Sequence, residues 1–454
     1  MQKETEIKLR VSRETLAALR EHPLLKKRNK SGWQRHELFN QYYDTPERDL
    51  AQAKVALRLR RDGEQFIQTL KSRGQSVAGL SERNEWDWYL DKAKLDLKKL
   101  ADECWPASLA ELDKKTLKPI FTTDFVREKA EIAWGRGKAK VVIEAALDLG
   151  KVVVGKQSEE ICELELELRQ GEPEALLELA AELAADLPLM PCDISKAERG
   201  YRLHDADSYS LSLPAPTLAA AMPLDDAFAA LAWQLLGNSQ RLAEQYRFNG
   251  HWKLLGEWLQ QLVELRALLG SLGQAAPRAT SRELREQLDA LIQDWRPQVE
   301  AGRDDESVRQ AAPERFAAEL SAPRWGLFSL NASLWLLQRS WTASRNNRGN
   351  RQGAAELGNW LPRLLGEEAE ALQLLRYQQQ PEDLAEQRPR MERLLVWLHL
   401  ARATLELPEA DRLFGELAKL YELAGQPLDD ELLEARVEQA RVVWTLKSWK
   451  LLTK

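Results

Sequence analysis

The sequence predicts an α+β chain: an N-terminal antiparallel β-barrel or deeply curved sheet around a charged cavity, followed by an all-α helical bundle. Three observations carry this. Segments of strict polar–apolar alternation recur before residue 170, separated by turn residues; period-two alternation marks a half-buried strand. Most of these segments carry charge on one face only. From Leu224 to the end the period changes, with Leu and Trp recurring at three- and four-residue steps, as on a helix. A solvated edge strand also alternates. The recurrence with matched charge points instead to faces turned inward together around a polyanion and its metal ions.

Composition narrows the field. At 454 residues, 44% hydrophobic and 30% charged, the chain suits two or three globular domains. A net charge of −6 gives no global attraction to nucleic acid or an anionic membrane, so any phosphate site must be local. Cys104, Cys162 and Cys192 lie far apart and fit reduced thiols in a cytoplasmic protein. None of the five histidines pairs at ligand spacing, which disfavours a His-based zinc site. The N-terminus shows no apolar leader, and no run of about 18 apolar residues exists to span a membrane.

In chain order, Glu4, Glu6, Lys8 and Arg10 share one face of the first strand, opposite Thr5, Ile7 and Leu9. Ser12 is placed to cap a helix over 14–20. Lys26, Lys27, Arg28 and Lys30 read as a solvated loop. A strand from residue 37 closes at Asp44-Thr-Pro. Residues 55–60 and 65–71 form a hairpin about Arg61-Asp-Gly63, with Arg58 and Arg60 on one face and Lys71 in phase with Thr69. The strand over 82–89 sets Arg83, Glu85 and Asp87 against Trp86 and Trp88, which read as packing residues. Residues 91–118 read as helix and loop. The strand over 121–131 puts Arg127, Lys129 and Glu131 in phase with Phe125. After a turn at 135–137, the strand over 140–148 carries Glu144 and Asp148 in phase, and Gly150 is expected to turn the chain. Residues 161–168 alternate most sharply: Glu163, Glu165 and Glu167 point one way, Cys162, Leu164, Leu166 and Leu168 the other. Such a row repels itself; a divalent ion or facing Arg and Lys would stabilise it inside a barrel. A helix over 173–187 follows, and the segment 193–201 returns Lys196 and Arg199.

Taken together, residues 1–204 resemble the CYTH domain of the triphosphate tunnel metalloenzymes. The resemblance rests on Glu4-x-Glu6-x-Lys8, the stretch Tyr42 to Pro46, Arg58 with Arg60, and Lys71. It continues through Glu85, Arg127, Asp148, Glu163 with Glu165, and the Ser-Lys-x-x-Arg-Gly-Tyr segment with Lys196. It implies a barrel of roughly eight strands around a charged tunnel. Arginine forks and lysine ammoniums neutralise triphosphate, and carboxylates hold Mg²⁺ or Mn²⁺. On that basis Glu4, Glu6, Asp148, Glu163 and Glu165 are assigned to metal. Lys8, Arg58, Arg60, Lys71, Arg127 and Lys196 are assigned to phosphate. Glu85, Glu144, Glu167 and Arg10 share the phase of these rows and are read as supporting residues.

Residues 205–223 read as a linker, and 224–454 as a helical domain with helices over 224–249, 252–272, 281–295, 307–320, 325–344, 356–379, 391–407, 409–424 and 429–452. This arrangement resembles a CHAD domain, which implies polyphosphate binding. The copy departs from that pattern: it keeps only His251 and His399, and the usual Arg cluster is replaced by Trp252-Lys-Leu-Leu-Gly-Glu-Trp-Leu. Arg339, Arg345, Arg348 and Arg351 form its main basic patch, in an Asn/Gly/Arg loop. The reading that results is metal-dependent hydrolysis of inorganic triphosphate to pyrophosphate and phosphate. The alternatives are a class IV adenylate cyclase, another nucleoside or thiamine triphosphate enzyme, and a polyphosphate-binding scaffold.

Overall fold

The computed structural model describes residues 2–72, 74–77, 79–101, 104–135, 141–205, 210–213, 215–374, 381–427 and 430–454. Its contacts divide the chain into two compact units. One comprises Met1–Leu213, Gly237–Glu257 and Gln298–Leu337; the other comprises Pro214–Leu236, Trp258–Pro297 and Gln338–Lys454.

The first unit begins with β1 (Gln2–Arg10), α1 (Arg13–Glu21), α2 (Pro23–Arg28), β2 (Gln34–Asp44), α3 (Asp49–Gln52), β3 (Ala56–Asp62) and β4 (Gln65–Lys71). β5 (Gln75–Val77), β6 (Leu80–Leu90), β7 (Lys118–Trp134), β8 (Val141–Val154), β9 (Gln157–Gln170), α4 (Glu174–Ala184), β10 (Met190–Pro191) and α5 (Lys196–His204) follow. The sheet runs β10-β1-β9-β8-β7-β2-β3-β4-β6-β5, and β1 also pairs with β6. That pairing closes eight antiparallel strands into a barrel. One short strand closes both sides of the ring: Gln2–Ile7 pairs with β6 and Glu6–Arg10 with β9.

Alternation decides which face is which. Ile7, Leu9, Ile143, Ala145, Leu147, Cys162, Leu164 and Leu166 face outward and are buried in one cluster with Leu16 of α1 and Leu176, Leu179 and Leu183 of α4. A second outer cluster joins Leu57, Leu70, Leu50 and Trp105, with Trp86 and Trp88 packed against it; the two tryptophans are packing residues, as their phase predicts. At one end the inward positions are apolar as well. Leu38, Tyr42, Phe121, Phe125, Val152 and Ile161 pack on Ala197 and Tyr201 of α5. A Cβ at Gly200 would lie 2.2 Å from the Phe121 ring, so this close seating requires glycine. The Asp-Thr-Pro turn anchors the same helix: the Asp44 carboxylate accepts from the amides of Thr45, Leu50 and Ala51 and, at 2.7 Å, from the Tyr201 hydroxyl. Ser195 caps α5 by accepting from the Glu198 amide.

Several expectations need correction. Gly150 does not turn the chain: β8 runs through it, paired to Phe125 and Ile161. A Cβ there would lie 2.2 Å from the Asp124 carbonyl oxygen, so the glycine allows two strands to approach. The basic run at 26–28 is the end of α2, with Pro23 at its first turn, although Lys26 and Lys27 are exposed. Between β6 and β7 the described residues form single 3₁₀ turns at Leu97–Lys99, Ala107–Leu109 and Lys114–Thr116. Residues 136–140, part of the expected turn and strand start, lie outside the described residues.

The helices that follow are α6 (Leu224–Asn249), α7 (Trp252–Ser271), α8 (Arg282–Ala301), α9 (Glu306–Leu320), α10 (Pro323–Leu337), α11 (Asn347–Gly353), α12 (Leu357–Leu372), α13 (Arg388–Leu400), α14 (Ala410–Ala424), α15 (Asp430–Thr445) and α16 (Lys447–Leu452). Periodicity located most of them. It overran α10, which stops before the left-handed Arg339, and α12, which stops before the left-handed Gln373; residues 375–379 of the expected helix lie outside the described residues. It also missed the break at Leu446 between α15 and α16. The expected Asn/Gly/Arg loop is largely α11, capped by Asn346. Within the second unit, Trp258 and Trp295 pack edge to face, as do Trp360 and Trp397, so these tryptophans are core. No helix among the described residues is long and apolar enough to cross a membrane. Cys104, Cys162 and Cys192 are all buried.

Candidate functional site

The inward phase of the strands brings the predicted charges into one place. A cavity of about 420 Å³ is lined by Glu4, Glu6 and Lys8 from β1, Arg58 and Arg60 from β3, and Lys71 from β4. Arg83 and Glu85 from β6, Arg127 from β7, Glu144 from β8, Glu165 and Glu167 from β9 and Lys196 from α5 line it too, as do Asp62, Asp87, Lys129 and Arg169. Register builds layers across adjacent strands. Arg127, Asp148, Glu163 and Arg10 stand side by side on β7, β8, β9 and β1, and Glu144, Glu167 and Glu6 form a parallel row on β8, β9 and β1.

Acids and bases alternate as ion pairs. Lys71 bonds Glu4 at 2.7 Å and Glu85 at 3.1 Å, and Arg58 bonds Glu85 at 3.3 Å. Arg83 bridges Glu4 and Glu6. Lys8 sits 3.4 Å from Glu6 and 3.2 Å from Glu165. Arg127 forks onto both Asp148 oxygens at 2.7 Å and also reaches Glu165. Lys196 meets Asp148 at 2.7 Å, Glu165 at 2.9 Å, and Glu163. Ligand oxygens of Asp148, Glu163 and Glu165 all lie within 4.8 Å of one another. Only oxygen donors converge there, the set that hard divalent cations prefer.

These pairs set the protonation states. Burial opposes the charge on Glu165, but Lys196, Lys8 and Arg127 outweigh it and hold the carboxyl well below its usual range. Burial likewise opposes Glu4 and Glu6, and Lys71 for the first and Lys8 with Arg83 for the second keep both low. Glu167 goes the other way. Burial, with Glu4, Glu144 and Glu6 nearby, pushes it up to about 7 against the pull of Arg169. Arg60 is the odd cation: burial and then Arg58 and Arg127 pull it down to about 9, and it donates a hydrogen bond to the neutral Asn40 side-chain oxygen at 2.8 Å. A buried guanidinium crowded by like charge attracts an anion.

Not every predicted residue faces the cavity. Asp148 and Glu163 are fully buried beneath Lys196 rather than in the lining. Glu85 is in the lining; Glu144 and Glu167 are there too, paired with Arg169 at 3.1 and 2.6 Å. Arg10 turns away to Glu159 and Glu244. Reading by strand face named Arg83 and Arg199 but gave neither a role in the site, and it passed over Arg169; Arg199 pairs with Glu163. Arg83 is in phase with Glu85, and Arg199 is one helical turn from Lys196, so both signals were present. In the second unit, Arg345 pairs with Asp225 and Arg339 with Asp226, while Arg348 and Arg351 are exposed on α11. His399 bonds the buried Glu264 at 2.8 Å.

Fold and cavity together define a class, an antiparallel barrel that buries opposed acidic and basic rows. Residues 2–201 match the family model of the CYTH domain. Over 166 residues the chain is 34% identical to the inorganic triphosphatase of Haemophilus influenzae, covering 37% of this chain and 46% of that protein. The chain thus spans about half the length of the curated relative it matches. Among solved structures it is similar to a candidate adenylyl cyclase from Hippeastrum described as having a dominant triphosphatase activity (22% identity, 44% of this chain, 96% of that one, TM-score 0.32). It is also similar to a candidate adenylate cyclase from Bacillus halodurans (24% identity, 40% and 92% coverage, TM-score 0.25).

Proposed function

We propose that the chain hydrolyses inorganic triphosphate to pyrophosphate and phosphate in the barrel cavity, with Mg²⁺ or Mn²⁺. The observation that carries this reading is the cavity lining itself. Basic side chains line it in numbers suited to a short, highly charged polyphosphate, and Arg60 lies among them hydrogen-bonded to the neutral Asn40. The 34% identity to an inorganic triphosphatase supports the same substrate class.

In this reading Lys8, Arg58, Arg60, Lys71, Arg127 and Lys196 bind the phosphate oxygens. Their attachment to four strands of the closed sheet and to α5 fixes the anion's orientation, which is most of what phosphoryl transfer asks of a protein. Glu4, Glu6, Glu163 and Glu165, with Asp148, hold the cation; the oxygen-only donor set fits a hard ion, and nearby lysines and arginines hold the four glutamates below their usual carboxyl range. When bound, the ion supplies Lewis-acid polarisation of a phosphoryl oxygen and a water acidic enough to attack near neutral pH. Lys196 and Arg127, which bond the acids and in this reading also take the anion, set the distance between the two. The Phe121–Tyr201 packing excludes water from one end, so the charges there act at low dielectric.

The test is phosphate release by the full chain from inorganic triphosphate, ATP and thiamine triphosphate, with Mg²⁺, Mn²⁺ or chelator. Triphosphate is expected to turn over fastest, to give one phosphate and one pyrophosphate, and to stop in chelator. Cyclic AMP formed from ATP, or no release from triphosphate, would sink the reading.

A further inference from the structure

Glu163 is also approached by a second buried set of charges, outside the cavity lining. α5 carries Lys196, Arg199 and Arg202 at every third position. The first two hold Glu163. Arg202, fully buried, instead bonds Glu159 at 2.7 Å and Glu244 at 3.0 Å. Arg10 stands directly opposite Glu163 on the neighbouring strand, yet its guanidinium goes to the same two acids, at 3.0 Å from Glu159 and 2.8 Å from Glu244. Arg247 adds a third cation, 3.0 Å from Glu244. Glu244 comes from α6, in the stretch that packs with the barrel, and none of its side chain is exposed. Two carboxylates therefore face three guanidiniums, and Glu163 is the next acid within Arg10's reach, since residues opposed on antiparallel strands lie about 5 Å apart.

We propose that Glu244 is a positioning residue for the cavity: by holding Arg10 and Arg202 it keeps them off Glu163, so that Glu163 answers to Lys196 and Arg199 alone. A buried guanidinium stripped of its acid takes the nearest one left, because an unpaired buried charge costs too much to persist. With Glu244 neutral, Arg10 turns to Glu163, and an extra cation there weakens that carboxylate's hold on a divalent ion. This rests on the reading of Glu163 as a cation-holding group. It also means that a helix beyond residue 204 completes the charge balance of the barrel.

The test uses the full chain carrying Glu244→Gln, which keeps shape and removes charge. Calorimetric titration of Mn²⁺ without substrate is expected to show affinity weakened about tenfold, as for other partners of metal ligands. The Mn²⁺ concentration for half-maximal triphosphate hydrolysis should rise in step, with KM for triphosphate little changed. Adding Arg10→Gln to Glu244→Gln removes the displaced cation and is expected to restore Mn²⁺ affinity, whereas a packing defect would deepen with the second change. Glu244→Asp, which keeps the charge, is expected to stay within ~3-fold of the parent. The proposal falls if Glu244→Gln binds Mn²⁺ as the parent does, if the double variant is weaker than the single, or if Glu244→Asp loses as much as Gln. A parent that binds Mn²⁺ yet releases no phosphate from triphosphate would fail the functional reading and leave this comparison of affinities to decide on Glu244.

Discussion

The inner and outer faces of the same strands carry opposite chemistry. On β9, Leu164 and Leu166 point out into a fully buried apolar cluster under α1 and α4, while Glu163 and Glu165 point in among lysines and arginines. Most small closed barrels fill their interior with side chains that pack. Here the hydrophobic core is moved outside, under helices, which leaves the interior to charge. The lesson is a division of labour by strand phase: outward residues supply stability, because apolar burial does so and buried ion pairs contribute little net. Inward residues, on the reading proposed above, supply binding and chemistry.

Three measurements break or sharpen that contrast. The largest effect is expected inside. Glu165→Ala should lower turnover of triphosphate by orders of magnitude, ~10²-fold or more, and weaken its metal dependence. Unchanged kinetics would remove Glu165 from the site. Outside, Leu164→Ala should cost about 2–5 kcal/mol of stability in denaturant melts, while kcat per folded molecule stays near the parent's. Lost activity at unchanged stability would show that the two faces are not separable. The smallest effect concerns pH. Glu167, raised to about 7 when folded against a reference of 4.5, binds its proton more tightly in the folded chain. Its contribution to stability is therefore complete below about pH 4.5 and is lost as pH rises through 7. Glu165, two residues away and lowered, has the opposite sign: its contribution is present above its reference value and lost on acidification. Glu167→Gln, which mimics the protonated acid, should raise the melting temperature in chelator by roughly a few degrees at pH 8 and not at pH 5. An equal shift at both values would mean that Glu167 does not titrate in this window.

Much of this was legible in the sequence because strand phase is local. Alternation alone put Glu4, Arg58, Lys71, Arg127 and Glu165 on inward faces, and all five line the cavity. What alternation does not encode is depth and partner. Arg10 has the same phase as Lys8, yet one ends in a second ion network and the other between Glu6 and Glu165; the choice depends on α6, more than 200 residues away in sequence. Asp148 and Glu163 were placed on the correct face, but not in the layer beneath Lys196, because depth follows from how α5 seats against Phe121. Gly150 looked like a turn because glycine marks both bends and close backbone approach, and only the pairing of β7 with β8 distinguishes them.

The bridging of Lys71 between Glu4 and Glu85 has one more consequence. An anion that draws Lys71 away strips two acids of a counter-charge, and a cation that settles on Glu4 sets an ammonium loose. Each visitor alone leaves one partner of a broken ion pair uncompensated, whereas the two together give each partner a new counter-charge. Anion and cation uptake should therefore be mutually reinforcing, so that the protein takes in a salt and not its separate ions.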